Sequence, residues 1–111
     1  MTTYIVQGRF TGEGIKGLLA KPEDRAATVR KLFEASGGKL LSYYFTFGEY
    51  DFLTVAEGES EQAVMAGLIV AAAGGGVTHL KTTVAMSSAD AKQAFEAAGK
   101  LVASYHAPGR G

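Results

Sequence analysis

The sequence predicts an α+β domain: a ferredoxin-like βαββαβ sandwich, one four-stranded antiparallel sheet with helices on one face, and an additional C-terminal helix. Three observations carry this. Four short runs, at 3–10, 39–47, 51–57 and 77–86, are rich in β-branched and aromatic residues, as strands are. The stretches between them repeat apolar residues at three-and-four spacing and stop at glycines, as helices do. Only Gly48-Glu49-Tyr50 separates the second strand run from the third, a link that suits an antiparallel hairpin.

Each element has a local reason. "TYIVQGRF" is the first strand, and Thr11 caps a short helix over 11–21 with Ile15, Leu18 and Leu19 turned inward. Pro22 breaks the chain after Lys21 and suits the first turn of a second helix, which buries Ala26, Val29, Leu32 and Phe33 and ends at Gly37-Gly38. Ser60 caps a helix over 61–73 that closes on Gly74-Gly75-Gly76. Those three glycines follow a helix and precede a strand, the reverse of a phosphate-binding loop, so they read as a connector. Ser87-Ser88-Ala89-Asp90 starts a last helix running to about Gly99. The domain is thus placed at 1–99, with 100–111 as a partly flexible extension.

Composition narrows the function. At 111 residues the chain makes one domain, and its 11 basic and 11 acidic residues cancel. A nucleic-acid partner is therefore not expected, since such surfaces carry a basic excess. With no cysteine there is no disulfide and no thiolate chemistry. No apolar run is long enough to span a membrane and the start does not read as a signal peptide, so a cytoplasmic protein without membrane contact is expected.

Strand periodicity implies a partner. In uninterrupted alternation Leu41, Tyr43, Phe45 and Phe47 share one face, and Leu40, Ser42, Tyr44 and Thr46 the other. Neither face is plainly polar, and 63–73 contains no charged residue, so both sheet faces and the whole of that helix need cover. A second copy of the chain, sheet facing sheet, supplies it most simply. The alternative cover is the C-terminal helix or "LVASYH" folding back over the open face.

"EGIKGLLAKPEDRAA", "ASGGKLLSYYFTFGEYD" and the late strand leading into "SSADA" resemble the GYD-domain proteins over about residues 3–99. The family signature is matched by Gly48, Tyr50 and Asp51. The resemblance implies a fold of the dimeric α+β barrel group, whose relatives include cofactor-independent monooxygenases, isomerases and haem-handling proteins. It implies no particular reaction.

Each candidate site residue has two readings. Asp51 suits a general base with the Tyr50 hydroxyl holding a substrate oxygen, or a hairpin corner bonded to nearby amides. His79, in the fourth strand, suits a base or a metal or haem ligand, or a surface position, and no second ligand stands at metal spacing around it. Tyr43, Tyr44, Phe45 and Phe47 suit the wall of a pocket for a planar apolar molecule, or core and dimer interface. Lys21 and Arg25 beside Pro22 suit an anion site or solvated charge. No metal and no cofactor are expected. The reading is a homo-oligomer that binds a small apolar or aromatic molecule in a cavity at the sheet. A cofactor-independent oxygenase or isomerase is the alternative, and nothing in the residues decides whether the chain is an enzyme.

Overall fold

The computed structural model describes residues 1–111. The elements run β1 (Thr2–Phe10), α1 (Gly12–Ala20), α2 (Arg25–Ala35), β2 (Lys39–Phe45), β3 (Phe52–Gly58), α3 (Glu61–Ala73), β4 (Val77–Ala85) and α4 (Ser88–Gly99), with a 3-10 turn at Val102–Ser104. Short polar side chains start the helices as the sequence leads one to expect. Thr11, Ser60 and Ser87 accept hydrogen bonds from the amides of Gly14, Ala63 and Asp90 at 3.0, 3.1 and 3.1 Å. The second helix differs from expectation. Asp24 is its cap, accepting from the Ala26 amide at 3.0 Å, so Pro22 and Glu23 lie ahead of the helix and Arg25 is its first residue.

The four strands form one antiparallel sheet in the order β2-β3-β1-β4, which is the ferredoxin-like arrangement. Thr54, Phe52, Ala56 and Gly58 of β3 and Tyr4, Val6 and Gly8 of β1 are buried on the helix side. Strand β2 departs from simple alternation. Leu40 pairs with Ala56 but Ser42 pairs with Val55, so Leu41 is an extra residue in a β-bulge. The bulge shifts the phase, and Leu40, Tyr43 and Phe45 all come to the helix side. Tyr44 is left on the open face opposite Leu53. A second irregularity lies in β4, where Lys81 pairs with Gln7 and Thr78 with Arg9. His79 sits there with φ of 53°, in the left-handed region that a non-glycine residue adopts only when its surroundings demand it.

Helix α1 is tied to the α3–β4 connector. The Thr11 amide donates to the Gly76 carbonyl at 2.9 Å and the Thr11 hydroxyl to the Gly75 carbonyl at 2.7 Å. Gly14 approaches Gly76 so closely that a side chain there would strike the Gly76 carbonyl. Of the three α1 residues expected to turn inward, only Leu18 does so; Ile15 and Leu19 are exposed.

Cover is missing where the apolar pattern calls for it. On α3, Val64 is buried, while Met65, Ile69 and Val70 are exposed. Helix α4 makes no extensive packing against the sheet or the other helices. From Met86 to Gly111 every residue except Ala91 is exposed, including Phe95, Leu101, Val102 and Tyr105. The C-terminal segment therefore does not fold back over the open sheet face; it stands away as an arm. The Cα radius of gyration is 18.1 Å and the longest extent 61 Å, against roughly 13 Å for the radius of a compact chain of this length. Only nine of the 111 residues are buried, a small core for a domain of this size.

Candidate functional site

The sheet and helices α1–α3 do not close on each other completely. They leave between them an open-sided cavity of about 590 Å³, a volume within the range of small-molecule sites. Its floor is the helix side of the sheet, with Val6 of β1, Tyr43 of β2, Phe52 and Thr54 of β3 and Leu80 of β4. Its roof is Leu18 of α1, Val29 and Leu32 of α2, and Val64 and Leu68 of α3. Small residues of the helices stand over the space, Gly17 on α1 and Gly67 and Ala71 on α3. An aromatic cluster closes one end, with the Phe10 ring 5.3 Å from those of Phe45 and Phe52, and Tyr43 stacked on Phe52 at 6.0 Å and 17°.

Two charged groups of this cavity meet at the start of α2. Arg25 Nη1 donates to Glu23 Oε1 at 2.7 Å. The Nε–H of the same guanidinium is buried and has no hydrogen-bond partner. Tyr43 stands beside it. Burial raises the Tyr43 phenol above its usual pKa, while the neighbouring charge of Arg25 pulls in the opposite direction. The wall is otherwise apolar apart from Glu13, Lys21, Thr28, Ser36 and Thr54. This arrangement suits an apolar guest with one polar end.

The expected site residues fall in three places. Tyr43 lines the cavity, and Phe45 touches its aromatic cluster without lining it. Tyr44 and Phe47 are exposed and outside it. Asp51 lies at the hairpin corner, where its Oδ2 accepts from the Phe10 amide at 2.9 Å, its own amide donates to the Gly8 carbonyl at 2.8 Å, and its carbonyl accepts from the Thr46 amide at 2.9 Å. Tyr50 faces away from the cavity, its ring 6.0 Å from both the Arg9 guanidinium and the Lys81 ammonium. It lines a separate hollow of about 360 Å³ with Gln7, Thr46, Glu49 and Lys81. His79 is exposed on the β4 bulge, while its neighbour Leu80 enters the cavity. Tyr50, Asp51 and His79 are therefore not brought together, and no group of three His, Cys, Asp or Glu side chains forms a metal-binding cluster.

Arg25 is the residue that sequence reasoning set aside. A signal was present: Arg25, Val29, Leu32 and Ser36 stand at helical spacing on one stripe, and all four line the cavity. A cation in phase with the apolar face of its helix points inward.

A "Glutamine synthetase and cystathionine beta-lyase binding protein" of Thermus thermophilus is 30% identical over 77 residues, 69% of this chain and 81% of that protein. The solved structure of FFRP-DM1 superposes with a TM-score of 0.48 at 18% identity, over 78% of this chain and 100% of the other. That of TTHA0845 from Thermus thermophilus does so with a TM-score of 0.49 at 19% identity, over 79% and 96%. The model of the GYD domain matches residues 4–95, nearly the whole sheet-and-helix unit and its Gly48, Tyr50, Asp51 corner, and the chain belongs to the GYD-domain family.

Proposed function

We propose that this protein binds a small apolar or aromatic molecule in the cavity between its sheet and helices, and that it does so as a homo-oligomer. The cavity carries the ligand reading: about 590 Å³ of largely apolar-walled space lies between the helices and the sheet of a chain with only nine buried residues. Asp51 and His79, on which an oxygenase or isomerase reading depends, are not part of the cavity wall, and this supports binding over turnover. The oligomer is supported by the uncovered apolar surfaces of α3 and α4, which a second copy would bury.

The test is the binding of the fluorescent probe phenylnaphthylamine to the purified full chain. One probe per subunit is expected, and Ala71→Phe, which fills the cavity from α3, is expected to abolish it while amide NMR spectra show the fold retained. Equal binding by both proteins would mean that the probe sits on exposed apolar surface and would overturn the cavity reading.

A second reading draws on the relative named as a binding protein for two enzymes. The exposed Phe95 of α4 and the exposed Leu101, Val102 and Tyr105 that follow it favour it, because a segment standing clear of its own domain presents a surface that another protein can cover.

A further inference from the structure

Taking the chain as a homo-oligomer, we infer that two copies exchange arms, α4 of each lying along the outward face of α3 of the other. Helix α4 is the starting point. It is 12 residues long and makes no extensive packing against its own domain, and a helix shorter than about 12–15 residues is marginal in water without tertiary contacts. Its residues are arranged for docking. Ala91, Ala94, Phe95 and Ala98 stand on one face, at the i, i+3, i+4, i+7 spacing of a helix that lies in a groove. Lys92, Glu96 and Lys100 share the opposite face, where Lys92 Nζ stands 4.0 Å from Glu96 Oε1 in water.

The surface that fits this helix is on the same chain. Met65, Ile69 and Val70 of α3 are exposed, and from Ala63 to Ala73 that helix carries no charge. With 13 residues it matches α4 in length. Exposed alanines, Ala66 and Ala73 on α3 and Ala94 and Ala98 on α4, let the two axes approach closely. The open sheet face is the poorer match, because four strands about 4.8 Å apart are wider than one helix about 10 Å across.

Position makes the occupant a second copy. The arm leaves the sheet at Ala85, opposite Thr3, whose other neighbour is Glu57, and α3 begins just beyond at Glu61. Arm and α3 therefore start at one end of the sheet. The link to α4 is only Met86 and Ser87, and the Ser87 hydroxyl is bonded into the first turn of the helix, which leaves the arm little slack to turn back. A two-fold axis at that end brings each arm to the other copy's α3. The contact is then made twice, which doubles its area toward the roughly 1,200–2,000 Å² of a stable interface.

Two variants of the full chain test this, Ile69→Asp on α3 and Phe95→Asp on α4, each alone and the two mixed in equal amounts, by sedimentation over a range of concentrations. Both side chains are exposed within one chain, so circular dichroism is expected to show the fold retained. Each variant alone breaks both contacts and is expected to weaken self-association about tenfold or more. The mixture is expected to associate more tightly than either, because a mixed pair keeps one intact α3–α4 contact. The chain has no cysteine, so a second measurement needs no disruptive charge. Ile69→Cys and Phe95→Cys chains, mixed and treated with a short bifunctional thiol reagent, are expected to link in mixed pairs in excess of like pairs.

Loss of association in one variant only, a mixture no tighter than its components, or no excess of mixed pairs would overturn the exchange. Full association by both variants would overturn it and leave the oligomer resting on another surface. An unaltered chain that stays a single subunit at every concentration would overturn the oligomer reading together with it.

Discussion

Phe10 and Asp51, 41 residues apart in the chain, are joined by a 2.9 Å hydrogen bond from the Phe10 amide to the Asp51 carboxylate. The Asp51 amide returns a 2.8 Å bond to the Gly8 carbonyl, so the β2–β3 hairpin corner is pinned to the end of β1. That bond aligns Phe10 with the aromatic end of the cavity. The Asp51 side chain is thus bonded to backbone and stands outside the cavity wall.

Replacing Asp51 by alanine leaves the Phe10 amide without its acceptor and removes a charge-assisted bond. Stability is expected to fall by about 1.5–3 kcal/mol. Probe binding per folded molecule should be retained. Urea unfolding followed by fluorescence reads the first, and probe titration well below the unfolding midpoint the second. Unchanged stability with lost binding would instead place Asp51 at the ligand.

Tyr43 gives a pH dependence with a defined sign. Its ordinary pKa is 10.0 and burial raises it in the folded chain. Below pH 10 both states hold the phenol proton, and the group leaves stability independent of pH. As the pH rises through that value the unfolded phenol ionises first, unfolding releases a proton, and stability falls until the folded pKa is passed. Urea midpoints measured across this range should fall more steeply for the unaltered protein than for Tyr43→Phe. Parallel slopes would contradict the burial of this phenol.

Gly67 lies inside α3 and over the cavity, where a Cβ would meet only Leu32 Cγ at 3.9 Å, an ordinary contact distance. Gly67→Ala is expected to stabilise the protein by about 0.5–1 kcal/mol, because alanine removes the helix-interior penalty of glycine. Thermal unfolding checks it, with a raised midpoint as the expected outcome.

Phe95 is 79% exposed on an arm with no cover of its own. If α4 is an interface, Phe95→Asp places a charge in that interface and should weaken self-association by roughly tenfold or more, as loss of a central aromatic does. The folding of 1–86 should be unaffected, since α4 makes no extensive packing against it. Sedimentation over a range of concentrations reads the change.

The topology was legible because it rests on local chemistry: strand runs, capping side chains and a hairpin-length link. The side-chain phase of β2 was not. A bulge at Leu41 carries no marker in the residues, and one inserted position moves Leu40 from the side of Tyr44 to that of Tyr43 and Phe45. The cavity was legible only in part. Tyr43 suits a pocket wall from the sequence, while Arg25 suits an anion site or solvated charge, and its place on the stripe with Val29, Leu32 and Ser36 puts it at the cavity. The gap lies beneath small residues, Gly17, Gly67 and Ala71, and unfilled volume has no sequence pattern. Asp51 reads as either base or corner until the Phe10 amide is seen to lie within reach.

Native mass spectrometry of the full chain, purified gently and with nothing added, tests the central claim most directly, because it weighs assembly and cargo together. The expected spectrum is a multimer carrying extra mass equal to a small organic molecule per subunit, which denaturing conditions release. A single species at the mass of one bare subunit would contradict both halves of the claim.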